Sequence, residues 1–219
     1  MFAPLVENGD EVLCVTITSH HSGTFNSAWA AAQRFGEAVS VFDSWSASLG
    51  VGFQVVAAAQ AAHQGASLGE ALALLKDMRA RTHLLAVLDT IEYIRMGGRA
   101  NALIPMLSRV MRFLQVKPII GFVEGELKLL GQARTFPAAL EQIEQRMAEL
   151  QPFERLGVVH TRHPHDAEVV AERFEEDIAF QGQVVVTETG AVLSSHAGPR
   201  VIGIIGVRRG KCELSPTKN

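Results

Sequence analysis

The stretch EVLCVTITSHHSGTFNSA, residues 11–28, runs from an apolar segment through Ser22, Gly23 and Thr24 into an alanine-rich segment. Its first part is rich in β-branched residues, whereas residues 27–35 have helical character. A second β-rich run, AVSVFD, follows at residues 38–43. This order predicts a β-α-β unit, which is the building block of a parallel sheet.

The rest of the chain continues as an α/β protein. Residues 48–65 predict a helix that ends at Gly65, and residues 67–81 predict another, which Ser67 and Glu70 begin as a capping box. Beyond these helices the pattern mixes hairpin and crossover connections, which predicts a mixed sheet. The predicted strands there are residues 82–89, 156–161, 183–188 and 201–207, with a hairpin that turns at Glu124 and Gly125; the predicted helices are residues 90–96, 102–114, 137–150 and 166–180.

We therefore predict two α/β domains. Residues 1–79 form a first domain with a parallel sheet and carry the Ser-Gly-Thr loop. Residues 80–219 form a second domain with a mixed sheet and carry two further loops, Gly-Gly-Arg and His-Ala-Gly-Pro. No Gly/Ser-rich linker marks the boundary near Arg79.

Composition excludes several classes of protein. The 219 residues carry a formal net charge of -3 and no basic run, so nucleic acid is not an expected partner. The two cysteines, Cys14 and Cys212, suggest neither a disulfide framework nor a metal site. The first residues lack the features of a signal peptide, and no apolar run reaches the length of about 20 residues that spans a bilayer. We expect a cytoplasmic protein.

The bend at Ser22, Gly23 and Thr24 predicts an anion site. A strand that ends in small residues and leads into a helix directs backbone N–H groups toward whatever lies above the sheet. Gly23 can adopt a positive φ angle and lets a ligand approach the backbone, while the two hydroxyls add hydrogen-bond donors. The alternative is that Ser22 and Thr24 only cap the helix, as serine and threonine commonly do.

Five spaced segments extend this interpretation: SHHSGTFNSA, VFDSWSASLGVG, LDTIEYIRMGGR, VKPIIGFVEGEL and SSHAGPRVIGI. Together they resemble the DegV family, which includes the fatty-acid-binding subunits of bacterial fatty acid kinase. The similarity covers essentially the whole chain. It implies a two-domain α/β fold that holds a fatty acid with its carboxylate near the interdomain cleft.

The resemblance also implies residues and partners. The carboxylate-binding residues are expected to be Ser22, Gly23, Thr24, Arg99 and His196, with no metal and no cofactor besides the bound long-chain fatty acid. Arginine offers a bidentate fork for a carboxylate, and histidine and serine add single hydrogen bonds. The protein is expected to present the carboxylate to a separate ATP-dependent kinase subunit, with transient contact to a membrane surface. By itself it is not expected to be an enzyme, and no GxxxxGK[ST] nucleotide motif occurs in it.

Two departures from the family pattern stand out. Family members carry a further N-terminal strand and helices that end in a Thr-Ser-Gln-Pro-Ser motif, and this chain begins after that segment. We therefore also consider a shortened member with weaker binding and an exposed edge of the first strand. Arg200 replaces a glycine after the Gly-Pro pair, so it lies beside the head-group site or points to solvent or a partner.

Other candidate residues have structural alternatives. Asp43, Ser44 and Ser46 either shape the rim of the same site or cap the next helix. Asp89 and Glu92 either orient Arg99 or form surface pairs. The HTRHPH segment at residues 160–165 is interpreted as a strand-to-helix loop and not as a metal site.

One different class of function remains open. A serine hydrolase would use Ser22 as its nucleophile and His196 as its base, with Asp89 or Asp43 to orient the histidine. The GxSxG motif typical of such enzymes is absent from the sequence.

Overall fold

The computed structural model describes residues 1–96, 116–177, 180 and 182–210. Arg99 and the predicted apolar helix at residues 102–114 lie outside these ranges. Within them, no helix combines the length and the apolar character needed to cross a bilayer.

The first part of the chain forms a small parallel sheet covered by helices. Strands β1 (Val12–Thr16) and β2 (Val39–Asp43) pair in parallel, with Val12 opposite Val39 and Thr16 opposite Asp43. This pairing confirms the predicted β-α-β unit. The elements are α1 (Ala3–Glu7), β1 (Val12–Thr16), α2 (Thr24–Ala32), a 3-10 helix (Gln33–Ala38), β2 (Val39–Asp43), α3 (Leu49–His63) and α4 (Leu68–Arg81).

Helix α4 begins where the capping box predicts. The Ser67 hydroxyl accepts a hydrogen bond from the Glu70 amide, and the Glu70 carboxylate accepts one in return from the Ser67 amide at 2.8 Å. Helix α3 ends at His63, just before Gly65, whose φ angle of 90° places it in the left-handed region that stops a helix.

The second part of the chain forms a six-stranded sheet in the order β5 (Glu126–Ala133), β4 (Lys117–Val123), β3 (Thr82–Val87), β8 (Ile202–Arg208), β6 (Phe153–His160) and β7 (Val185–Glu188). The β6–β7 pair is parallel and the other neighbours are antiparallel, so the sheet is mixed, as predicted. Its elements are β3 (Thr82–Val87), α5 (Glu92–Met96), β4 (Lys117–Val123), β5 (Glu126–Ala133), α6 (Phe136–Ala148), β6 (Phe153–His160), α7 (Pro164–Asp177), β7 (Val185–Glu188), α8 (Ala191–Ala197) and β8 (Ile202–Arg208).

The β4–β5 hairpin turns at the predicted residues. Glu124 and Gly125 have φ angles of 52° and 81°. Two consecutive positive φ angles are typical of the two-residue turns whose twist matches that of the paired strands. The local sequence therefore determines the register of this hairpin, in which Val123 pairs with Glu126.

The two faces of the large sheet have different partners. Helices α6 and α7 cover one face, where Ile143 and Met147 of α6 are fully buried and Phe174 of α7 nearly so. The other face packs against the first part of the chain through Phe53 of α3 and Met78 of α4. Burying a side chain of this size contributes about 1.5–3 kcal/mol to stability. The small parallel layer is thus attached to the large sheet.

One segment departs from its predicted conformation. His196 is predicted to lie in the His-Ala-Gly-Pro loop, but it lies in the last turn of the short helix α8. The helix ends because Gly198, with a φ angle of 84°, donates its N–H to the carbonyl of Ser194 at 2.9 Å. The predicted domain boundary stays a proposal: Arg79 lies in the last turn of α4, which leads directly into β3.

Candidate functional site

A cleft of about 200 Å³ lies between the small parallel layer and the large sheet. Its floor is the face of the large sheet, and its other side is formed by the loops after β1 and β2 together with α8 and α5. Most of the lining is apolar. The cleft is lined by Ile17, His21, Ser22, Ala47, Ser48, Leu84, Ala86, Leu88, Ile94, Ile120, Phe122, Leu127, Val159, Thr189, Val192, Leu193, His196, Ala197 and Val201.

The Ser-Gly-Thr loop provides part of the polar rim. The hydroxyls of Ser22 and Thr24 lie 2.8 Å apart, and the Ser22 hydroxyl also accepts the Thr24 amide at 3.2 Å. The loop therefore supplies the first helical amide with a partner, which agrees in part with the capping alternative. Gly23, as the N-cap of α2, has a φ angle of -72°. Gly23 does not use the positive φ angle that glycine can adopt, because α2 begins directly after it and its backbone is already near-helical.

Asp43 holds this loop against the end of β2. Both carboxylate oxygens accept the Ser19 amide at 3.2 Å, and one of them also accepts the Trp45 amide at 3.1 Å. The Arg79 guanidinium donates to the Asp43 carbonyl at 3.0 Å and lies 3.8 Å from the centre of the Trp45 ring. Burial lowers the pKa of Arg79, and the Asp43 charge opposes that effect. The ends of β1 and β2 are thereby joined through side chains.

Ser44 and Ser46 stabilise the loop that follows β2. The Ser44 hydroxyl donates to the Ser46 carbonyl at 3.3 Å and accepts the Ser46 amide at 3.2 Å. Gln54 of α3 donates to the Ser44 carbonyl at 3.1 Å. Helix α3 has no side-chain cap at its N-cap residue, Ser48. The contacts of Ser44 and Ser46 therefore agree with a role of these residues in shaping the rim of the site and not with capping of α3.

His196 lines the cleft from the last turn of α8. The end of helix α8 packs closely on α5. A Cβ atom at Gly198, the residue directly after α8, would lie only 2.6 Å from the ring of Tyr93 in α5. Ser22 and His196 thus come to the same cleft from the two parts of the chain, although they lie 174 positions apart in the sequence. Arg99, another expected ligand, lies outside the described residues.

The remaining predicted residues lie elsewhere or have other contacts. The Asp89 carboxylate pairs with Lys117 at 2.7 Å, and the Glu92 amide contacts the Thr90 hydroxyl at 3.2 Å. Arg200 is expected beside the head-group site, in solvent or at a partner surface. Its guanidinium instead lies 4.6 Å from the centre of the Phe136 ring. Its backbone φ angle of 54° is one that glycine adopts more readily.

The HTRHPH segment is a strand-to-helix loop, as predicted, between the end of β6 and the start of α7. Its His163 amide donates to the His160 ring at 3.3 Å, and the His163 ring lies 3.6 Å from the Asp166 carboxylate. In the described part of the chain, no three histidine, cysteine or acidic side chains are grouped closely enough to hold a metal ion.

Two sets of residues near the cleft had no signal in the sequence. Thr161, Thr189 and Ser194 form a chain of hydroxyls with successive distances of 2.9 Å, and Thr189 lines the cleft. Thr18 and His21 form hydrogen bonds to the β4–β5 hairpin, whose residues lie more than a hundred positions away. Sequence periodicity carries no information on such distant partners.

The fold and the cleft define a class of protein: two α/β layers that enclose an apolar cavity with a polar rim. A family model described as "Uncharacterised protein, DegV family" matches residues 1–209, and the chain belongs to the DegV family. A DegV domain-containing protein of Deinococcus radiodurans is 33% identical over 208 residues, which cover 91% of this chain and 70% of that protein.

Solved structures of the family share the fold. A DegV family protein from Thermus thermophilus, described in terms of fatty acid binding, matches with a TM-score of 0.85 at 29% identity, over 95% of this chain and 74% of that one. A DegV family protein from Corynebacterium glutamicum matches with a TM-score of 0.85 at 25% identity, over 95% of this chain and 80% of that one.

Proposed function

We propose that this protein binds a long-chain fatty acid in the cleft and presents its carboxylate to a separate ATP-dependent kinase that forms an acyl phosphate. The observation that carries the proposal is the cleft itself, which is apolar along its floor and has Ser22 and His196 on its lining. The description of the Thermus thermophilus relative as fatty acid binding supports the same ligand class.

The chemistry of the lining fits an acyl chain. Each buried methylene contributes about 0.8 kcal/mol, so a chain of about 14 methylenes gains about 11 kcal/mol before the entropy of association is subtracted. A gain of that size suits a ligand that stays bound through purification. The carboxylate would then lie at the polar rim, where we propose that Ser22, Gly23, Thr24, Arg99 and His196 bind it.

The proposed site needs no nucleophile from the protein. In acyl-phosphate formation the fatty acid carboxylate itself attacks the γ-phosphorus of ATP, the bond from that phosphorus to the bridging oxygen breaks, and ADP leaves. The protein therefore contributes by orienting the carboxylate and balancing its charge. The nucleotide would be supplied by the kinase partner. We further propose that the protein acts in the cytoplasm and meets a membrane surface transiently to exchange its ligand.

The contacts around the cleft favour binding over serine hydrolysis. The carboxylate of Asp43 is engaged with the amides of Ser19 and Trp45, and the carboxylate of Asp89 pairs with Lys117. Both candidate acids of a catalytic triad therefore have structural roles. The Ser22 hydroxyl is hydrogen-bonded to Thr24 within its own loop.

Native mass spectrometry of the purified protein tests this function. We expect a co-purified mass of a long-chain fatty acid that organic extraction releases. A cleft-filling variant, Ala197→Phe, should lose this mass, because Ala197 lines the cleft. Ala191→Phe is the matched control, since Ala191 is exposed on the same helix outside the lining and should retain the ligand.

Thermal unfolding of both variants shows whether each remains folded. A protein that carries no lipid and does not bind added fatty acid would contradict the proposal. So would an Ala197→Phe variant that is folded and binds fatty acid as well as the unmodified protein does.

A further inference from the structure

The tip of the β4–β5 hairpin, residues 124–127, is joined to the loop after β1, residues 18–21. The Thr18 hydroxyl donates a 2.7 Å hydrogen bond to the Gly125 carbonyl, and Thr18 is fully buried. The Leu127 amide donates a 2.8 Å hydrogen bond to Nε2 of His21. Two hydrogen bonds thus connect the small parallel layer to the edge of the large sheet.

The hairpin tip also fits this loop closely. A Cβ atom at Gly125 would lie 2.9 Å from the Thr18 hydroxyl and 2.9 Å from the Trp45 ring. Its φ angle of 81° separately favours glycine. The tip therefore approaches the loop as near as a backbone without a side chain allows, which indicates a specific contact.

The same contact closes one edge of the cleft. His21 lines the cleft from the loop, while Leu127 and Phe122 line it from the hairpin. The centres of the His21 and Phe122 rings lie 5.9 Å apart. Separating the tip from the loop would therefore expose the cleft beside β5, at the edge of the large sheet.

The hydrogen bond at His21 depends on the protonation of its ring. A neutral imidazole has one nitrogen that accepts a hydrogen bond, whereas an imidazolium has two donors and no acceptor. Because the Leu127 amide is a donor, protonation of Nε2 would place two donors against each other. This bond is therefore compatible only with an unprotonated Nε2.

The charged groups near His21 do not remove this conflict. From the hairpin, the Glu126 carboxylate interacts electrostatically with His20 and His21, and it is paired with Lys128. From its own loop, the neighbouring His20 ring lies 3.8 Å from the Glu126 carboxylate. His196 lies on the lining of the same cleft. The Glu126 carboxylate can attract a protonated His21, but that attraction leaves the Leu127 amide without its acceptor.

We infer that the hairpin tip and the loop form a latch that closes one edge of the cleft, and that protonation of His21 releases it. The latch is a property of the protein alone. Its role in the release of a fatty acid rests on the proposed function. The latch is closed while Nε2 of His21 is unprotonated and accepts the Leu127 amide, and it opens when Nε2 takes up a proton.

Hydrogen exchange at the Leu127 amide tests the latch without any lipid. The protection factor, corrected for the intrinsic exchange rate, is measured at about pH 7.5 and about pH 5.5, on either side of the usual range of histidine. We expect protection of the peptide containing Leu127 to fall by about tenfold at the lower pH. The unmodified protein, His21→Gln and His20→Gln are compared.

His21→Gln replaces the ring with a side chain that does not titrate, so protection of Leu127 should be the same at both pH values. His20→Gln removes the neighbouring histidine and keeps the His21 bond, so the pH-dependent loss should remain. Unchanged protection in the unmodified protein, or an equal loss in His21→Gln, would overturn the latch.

A second measurement tests the link to the ligand. The dissociation rate of a fluorescent long-chain fatty acid should rise about tenfold between the same two pH values in the unmodified protein and in His20→Gln, but not in His21→Gln. An equal rise in all three proteins would overturn the role of the latch in release. A protein that shows the exchange effect but binds no fatty acid would support the latch and contradict the proposed function.

Discussion

At the scale of single residues, Asp43 determines the shape of the proposed head-group loop. Its carboxylate accepts the amides of Ser19 and Trp45, so it holds the loops after β1 and β2 at a fixed distance from each other. An ionised carboxylate is the appropriate group here, because it can accept several hydrogen bonds and donates none. Ser22 follows three residues after Ser19 and is positioned through this contact.

The proposed ligands of the carboxylate differ in the strength of the contact that each provides. Arg99→Ala should weaken fatty acid binding by about 1.5–3 kcal/mol because it removes a charge-assisted contact, whereas Ser22→Ala should weaken it by about 0.5–1.5 kcal/mol. The dissociation constant of a fluorescent fatty acid measures both effects. Arg173→Ala, which removes only a surface pair with Glu144, is the control.

The opposite order would contradict this assignment. If Ser22→Ala abolishes function while Arg99→Ala has no effect, Ser22 has a role that a neutral hydrogen bond does not explain. Such a result would favour the hydrolase hypothesis, in which Ser22 is the nucleophile.

At the scale of elements, helix α4 connects the small parallel layer to β3, so its N-terminal cap contributes to the attachment of the two layers. The hydrogen bonds from the Ser67 amide and hydroxyl lower the pKa of Glu70. A carboxyl with a lower pKa in the folded state contributes stability above its unfolded pKa, here about 4.5, and this contribution disappears as the pH falls through the folded pKa.

Ser67→Ala should therefore lower the free energy of unfolding by about 1 kcal/mol at neutral pH, because the capping box loses its side-chain acceptor. Part of this difference should disappear as the pH falls through the lowered pKa of Glu70, because the carboxyl is then protonated and its share of the box is lost in both proteins. Chemical denaturation at several pH values measures the effect. Ser27→Ala, an exposed serine within α2, is the control and should change stability little; an equal loss in both variants would contradict a specific role of the cap.

At the scale of the whole molecule, one edge of β1 is open in the described part of the chain. Among the described residues this strand pairs with β2 alone, and a second groove lies between it and helices α3 and α4. Leu13 and Val15 of β1 and Val55 of α3 are among its lining residues. An unpaired strand edge beside apolar side chains favours pairing with another chain.

We therefore expect purified residues 1–219 to self-associate through this groove, and Val55→Lys to reduce the association by placing a charge in it. Val56→Lys is a matched control, since Val55 and Val56 are both 44% exposed but only Val55 lines the groove. Sedimentation velocity at several concentrations measures the association. A monomeric protein, or an equal effect of the two lysines, would show that the open edge is not an association surface.

The sequence by itself determined the elements whose signals are local. The capping box at Ser67, the helix end before Gly65 and the hairpin turn at Glu124 and Gly125 all lie where the sequence predicts them. Each depends on backbone angles and hydrogen bonds within a few residues, so the neighbouring sequence is sufficient. The β-α-β unit could be predicted for the same reason, because its two strands and helix follow one another directly.

Only the tertiary structure decided how these elements assemble. It placed Ser22 and His196 on one cleft and joined Thr18 and His21 to the hairpin tip. It also made a helix of the segment that carries His196, and Gly198 at the end of this helix packs against Tyr93. These contacts connect residues that are distant along the chain, and they depend on the packing of two layers, which no short stretch of sequence encodes.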